Sequence, residues 1–198
     1  MIANYKQAVP LGEPEPDVNF IDYIESSGTQ YIDTGFKPNN NSRVVIDIEV
    51  LEAGTIPIFG ARVGYTGTSF VVWVVDSTEL RSDFGTNGEI KSVNVSSVFD
   101  RIIVDKNKNT CTFGSSSITH TSSTFSLSVN LLIFSSTSDG SVYSKKLSGR
   151  LYSCQIYDND TLVRDYAPAL DPDGVACLYD KVSEEYVYNA GTGSFATP

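Results

Sequence analysis

The chain has 198 residues, 40% of them hydrophobic and 19% charged, proportions ordinary for one folded domain that buries roughly 70% of its unfolded surface. Its 14 Lys and Arg against 24 Asp and Glu give a net charge of −10, which argues against a nucleic-acid role because phosphate binding needs clustered cations that release counterions. No apolar run approaches the ~20 residues of a membrane helix, and Met1 to Pro10 lacks the apolar core of a secretory leader, so the expectation is a chain that stays in its cytoplasm or leaves by another route.

Residues 1–19 stand apart. Pro10, Pro14 and Pro16 alternate with Glu13, Glu15 and Asp17, and prolines at that density fix φ and withhold backbone donors, so the segment reads as an extended arm outside any sheet. Two readings stay open for it. It is a loose terminus, or an assembly arm whose apolar Ile2, Tyr5, Val9 and Leu11 dock on a neighbour.

From residue 20 to 198 strand signals dominate. In Arg43 to Val50 the set Val44, Ile46, Ile48 and Val50 alternates with Arg43, Asp47 and Glu49, the pattern of a half-buried strand. Further β-rich runs lie at 55–59, 69–75, 101–105, 109–113, 128–134, 149–157, 161–166 and 185–189. Turn formers separate them, notably Asn87-Gly88, Asp139-Gly140, Asp158-Asn159-Asp160 and Asp171-Pro172-Asp173-Gly174. Short strands at such spacing, with room for one helical turn at most, predict an all-β, two-sheet antiparallel sandwich. Tyr152, Cys154 and Ile156 are expected between the sheets, and the C-terminal segment beside residues 20–32. The cysteines Cys111, Cys154 and Cys177 are odd in number and include no CxxC pair, so they read as reduced and mostly buried.

The stretch Phe20 to Pro38, its echo Gly149 to Tyr166, and the pieces Phe59-Gly-Ala-Arg62, Asp105-Lys-Asn107, Asp171 to Asp180 and Asn189 to Phe195 cover the chain in order. Together they resemble the laminin-G-like branch of the concanavalin A-like jelly rolls, met in tail, fibre and other virion proteins of bacteriophages and in prophage genes of gut bacteria. The resemblance implies a jelly-roll sandwich over residues 20–198 and a place on a virion, with release by lysis instead of secretion. A bacterial cell surface is the alternative location.

Some concanavalin A-like jelly rolls are retaining glycanases, which set a carboxylate pair about 5 Å apart on one strand face. No Glu-x-Asp-x-Glu run occurs here; Asp47 with Glu49 lacks a third carboxylate, and Asp76 with Glu79 flanks a turn. The single histidine, His120, sits in the polar run 115–123, a loop composition. No enzyme is therefore expected. Related jelly rolls often hold calcium. Asp105-x-Asn107-x-Asn109 opens like an oxygen-ligand loop, but Thr110 stands where the glycine belongs and Ser116 where the glutamate does. Asp171 and Asp173 are the remaining weak Ca²⁺ candidates, as are Asp158 and Asp160, and turn geometry alone accounts for all four. The expectation is no cofactor.

A sugar site combines an aromatic platform with planar polar groups. Trp73 lies in Phe70 to Val75, where Val71, Trp73 and Val75 share one face and Phe70, Val72 and Val74 the other. It is either sandwich core or platform. Tyr65, on a loop assigned to residues 60–67, joins Arg62, Asp76, Arg81 and Asn87 as an expected polar-aromatic patch. Two functions follow: a non-catalytic, glycan-binding virion module attached to other virion proteins through its arm, or a structural decoration without glycan binding. Both predict a homo-oligomer, without nucleic-acid or membrane partners.

Overall fold

Alternating burial builds this molecule. In a computed structural model that describes residues 18–64 and 67–198, every second side chain from Ser42 to Val50 is buried. The expected arm residues Ile2, Tyr5, Val9 and Leu11, and the loop residue Tyr65, lie outside the described residues.

The strands in chain order are β1 (Asn19–Phe20), β2 (Ile24–Ser27), β3 (Ile32–Asp33), β4 (Ser42–Val50), β5 (Ile56–Arg62), β6 (Ser69–Val74), β7 (Glu79–Gly85), β8 (Glu89–Asn94) and β9 (Ile102–Asn107). There follow β10 (Thr110–Phe113), β11 (Ser116–Thr119), β12 (Leu132–Ile133), β13 (Thr137–Ser138), β14 (Ser141–Val142), β15 (Ser148–Asp158), β16 (Thr161–Leu170), β17 (Ala176–Asp180) and β18 (Glu185–Val187). One antiparallel sheet runs β11-β10-β9-β4-β15-β16-β17-β18, with β1 on β16 and β2 on β15; a second runs β3-β12-β5-β6-β7-β8, and β13 pairs with β14 in a separate two-stranded ribbon. No helix occurs among the described residues, so none is long and apolar enough to cross a membrane.

The sheets pack face to face on Ile46, Ile48 and Leu151 from the larger and Phe70, Val72 and Val74 from the smaller, all fully buried. The C-terminal segment lies beside residues 25–31, as expected. Ala190 N donates to Tyr31 O and Ala196 N to Glu25 O, Gln30 Nε2 donates to Ser194 O at 3.0 Å, and Phe195 is buried against Phe134. Gln30 is itself buried, and its Oε1 accepts from Ser27 N at 2.9 Å.

Three expectations are corrected. Tyr152 does not enter the core: a bulge between Leu151 and Ser153 shifts the phase of β15, so Leu151 and Cys154 point inward and Tyr152 outward. There it meets Tyr23 edge-on, carries the Arg101 guanidinium 3.6 Å above its ring, and donates to Glu49. Residues 60–62 are strand, not loop. Gly60 is needed where β5 approaches β6, since a Cβ there would lie 2.7 Å from Val71 Cα. Finally, β7 and β8 join as full strands around the Asn87-Gly88 turn, although their polar sequences gave no strand signal.

The edge strand β8 is tied to the other sheet. Lys91 Nζ donates to Thr119 O at 2.6 Å and Thr121 N donates to Glu89 Oε2 at 2.7 Å, bringing β8 against β11. The three cysteines are free and buried. Burial pushes the Cys111 and Cys177 thiols up to about 11, so they stay protonated at neutral pH.

Candidate functional site

Because side chains alternate along a strand, β7 serves two networks at once. Leu80, Ser82 and Phe84 point between the sheets, while Arg81 and Asp83 point to the outer face of the six-stranded sheet. Neighbouring β6 does the same: Phe70, Val72 and Val74 belong to the core cluster, whereas Trp73 does not. Trp73 is therefore an outer-face residue, although it is only 1% exposed.

What buries it is a cage of polar side chains. Arg81, its direct cross-strand partner, lays its guanidinium 4.6 Å from the centre of the indole. Arg62 from β5 sits 5.3 Å from the same ring, and Tyr143 meets it edge-on at 5.3 Å. Tyr143 arrives from the β13-β14 hairpin, whose Asp139-Gly140 turn has positive φ at both residues, the geometry that two-residue hairpins favour. Asp139 N donates to Arg62 O at 3.3 Å and fixes that hairpin on β5.

Asp83 is the hub. Its Oδ2 accepts from Trp73 Nε1 and from Arg81 Nη2, each at 2.9 Å, and its Oδ1 lies 2.9 Å from Arg81 Nε. Burial holds its carboxyl above the ordinary carboxylate range against the opposing pull of Arg81, the indole N–H and Arg62. These groups line an outer-face cavity of about 330 Å³ with Thr55, Ser69, Asn87, Gly88, Ile90 and Tyr143, at the small end of the range for ligand pockets.

Four of the residues expected at the patch, Arg62, Trp73, Arg81 and Asn87, thus line one cavity. Asp76 does not: it sits in the β6-β7 turn, where its Oδ1 accepts from Thr78 N at 2.8 Å. The sequence reading missed Asp83, Ser69, Ile90 and Tyr143. A pattern of Arg and Asp two apart opposite a tryptophan was the available signal for Asp83, and it is visible only once β7 is recognised as a strand.

The other metal and catalytic candidates are engaged locally. Asp171 Oδ1 accepts from Asp173 N and Val175 N, and its Oδ2 from Tyr188. Asp160 meets Lys108, Asp158 accepts from Asn39, and Asp105 pairs with Arg43. Among the described residues no group of three or more His, Cys, Asp or Glu is placed to hold a metal ion. Asp47 pairs with Arg101, and Glu49 with Arg150.

His120 is not a loop residue in solvent, as its polar surroundings suggested, but is 3% exposed. Its Nε2 lies 2.9 Å from Ser82 Oγ, which also accepts from Lys106 Nζ at 2.6 Å. His120 Nδ1 is 3.4 Å from Glu89 Oε2. The order carboxylate, imidazole, hydroxyl is that of a hydrolytic relay, but Nδ1 makes no hydrogen bond to Glu89. Yet Ser82 is fully buried between the sheets, so its oxygen reaches no substrate in this conformation. Burial pushes Lys106, under Phe70 and Phe84, down to about 8.

No protein-family model matches the chain, and no curated protein matches it.

Proposed function

We propose that the chain is a non-catalytic carbohydrate-binding module whose site is the outer-face cavity around Trp73. The observation that carries this reading is the convergence of two guanidinium groups, the Asp83 carboxylate, the Asn87 amide and the Tyr143 ring on one open cavity. Planar donors and acceptors beside an aromatic edge are what ring hydroxyls require. Trp73 acts there as the floor that orients Arg62 and Arg81, not as the stacking surface. Exposed Ile90 and half-buried Tyr143 offer the apolar contact.

The resemblance to virion jelly rolls supports a setting on a phage particle, with residues 1–17 as the attachment to other virion proteins in a homo-oligomer. A glycan array followed by calorimetry tests the site. Asn87→Ala and Tyr143→Ala are expected to weaken binding about tenfold or more, at the low end of losses for lining residues, with unchanged thermal midpoints. Failure of every glycan to bind, or unaltered binding by both variants, overturns the reading in favour of a decoration protein. Deleting residues 1–17 is expected to abolish oligomerisation or incorporation into particles while leaving the midpoint unchanged.

A further inference from the structure

A second cavity backs onto the first. Tyr143 lines the cavity at Trp73, while Val142 and Ser144, its neighbours in sequence, line another of about 390 Å³. Residues 142–144 are therefore a partition one chain segment wide, with an opening on each side.

The far side is walled by two loops that hold each other. Thr192 N donates to Thr29 O at 3.2 Å, Ala190 N to Tyr31 O at 2.9 Å, and Thr29 Oγ1 to Thr192 O at 3.2 Å. Gly191 lets the loops meet this closely, since a Cβ there would lie 2.2 Å from Thr29 O. They set the half-buried Tyr31 ring beside the exposed Thr29 and Thr192, and Lys146 completes the lining. Lys146 Nζ donates to Ser144 O at 3.4 Å, which leaves two of its three N–H donors for a ligand. Among the described residues no Asp or Glu lines this cavity. An aromatic ring beside hydroxyls and spare donors is the same sugar-binding chemistry that the Trp73 cavity presents. Each cavity alone is near the small end of ligand pockets, and a single ring held in one leaves the other unused.

Resting on the binding reading above, we propose that the site is extended and takes an oligosaccharide. One unit sits at Asn87 and Tyr143, and the chain crosses residues 142–144 so that a later unit lies against Tyr31 and Lys146. Bridging makes the second contact intramolecular, so two weak sites act as one tighter site.

The test is an NMR titration of the full chain with two ladders, chito-oligosaccharides and cello-oligosaccharides of one to five units, with affinities from calorimetry. The Gly88 and Gly191 amides report the two cavities separately. In at least one ladder the pentamer is expected to bind about tenfold more tightly than the monosaccharide or better, and to shift both amides where the monosaccharide shifts Gly88 alone. Lys146→Ala is expected to remove most of that gain. Should it fail to fold, Tyr31→Leu, which keeps an apolar group against the core, is expected to do the same. Equal affinity along every ladder that binds overturns the extended site and leaves a single-ring glycan site standing. A gain that persists in every folded variant, or a pentamer that leaves Gly191 unmoved, sends the chain elsewhere and refutes the assignment. Binding by no member of either ladder overturns this inference, and a silent glycan array beside it overturns the binding reading too.

Discussion

Protonating His120 should loosen this sandwich, and the size of the effect follows from what surrounds the ring. Its Nε2 shares Ser82 Oγ with Lys106 Nζ, its plane tilts against Phe84 at 5.7 Å, and Glu89 and Lys91 lie on the solvent side. Burial first, and the charge of Lys106 second, lower its pKa from 6.5 to about 4, with Glu89 opposing and Lys91 adding. Between pH 6.5 and about 4 the unfolded chain therefore binds a proton that the native chain refuses. The stabilisation is intact above pH 6.5 and is lost as pH falls through the window to about 4. At about 1.4 kcal/mol per pH unit, the loss reaches about 3 kcal/mol. Urea unfolding of the wild type and of His120→Gln, which keeps a polar partner for Ser82 but does not titrate, isolates it. Carboxylates titrate in both proteins and cancel. The stability difference should move in favour of the variant by about 3 kcal/mol from neutral pH down to about 4; a difference that stays constant refutes the reasoning.

Lys106 gives the alkaline counterpart. Its pKa is lowered from 10.5 to about 8, so between those values the unfolded chain holds a proton that the native chain has released, and stability from this group rises with pH. Relative to Lys106→Met, the wild type should gain about 3 kcal/mol across that range in the same unfolding assay; no relative gain contradicts the burial argument. Asp83→Ala leaves the indole N–H and Arg81 without their acceptor and should cost about 3 kcal/mol, the low end for a broken buried pair because Arg81 keeps some exposure. Asp83→Asn, which retains an acceptor for Trp73, should cost less; a loss of only about 0.5 kcal/mol for the alanine would mark the contact as superficial. Gly60→Ala places a methyl 2.7 Å from Val71 Cα and should cost upwards of about 2 kcal/mol by forcing β5 from β6, read as a drop in thermal midpoint; an unchanged midpoint refutes it.

The half-buried strands were legible because water imposes a period of two on them: β4 follows its written alternation residue for residue. Where both faces of a strand are covered by other means, that signal disappears. In β7, Arg81 and Asp83 neutralise each other outside while Ser82 is satisfied inside by Lys106 and His120, so the segment reads as polar and turn-like although Ser82 and Asp83 are buried. The same compensation hid Asp83 from the site. Tyr152 was misplaced for another reason: a bulge changes phase without any residue type that announces it. Arg62, Arg81 and Asn87 were grouped on loop composition and Trp73 was read as a strand residue; the four line one cavity, and three of them, Arg62, Trp73 and Arg81, are strand residues of one sheet face.

The seam between β8 and β11 has a consequence for how a ligand is received. An edge strand joined to its own sheet alone can swing, and a cavity walled by it then costs ordering entropy on each binding event. Here Lys91 reaches the Thr119 carbonyl and Glu89 takes the Thr121 amide across the open side of the sandwich, so the wall that carries Ile90 is held by both sheets. Little backbone remains to be frozen when a small molecule enters. Occupancy of the cavity should accordingly behave as docking into a rigid mould, with amide-exchange protection in β7 and β8 already high in the free protein and scarcely raised by ligand.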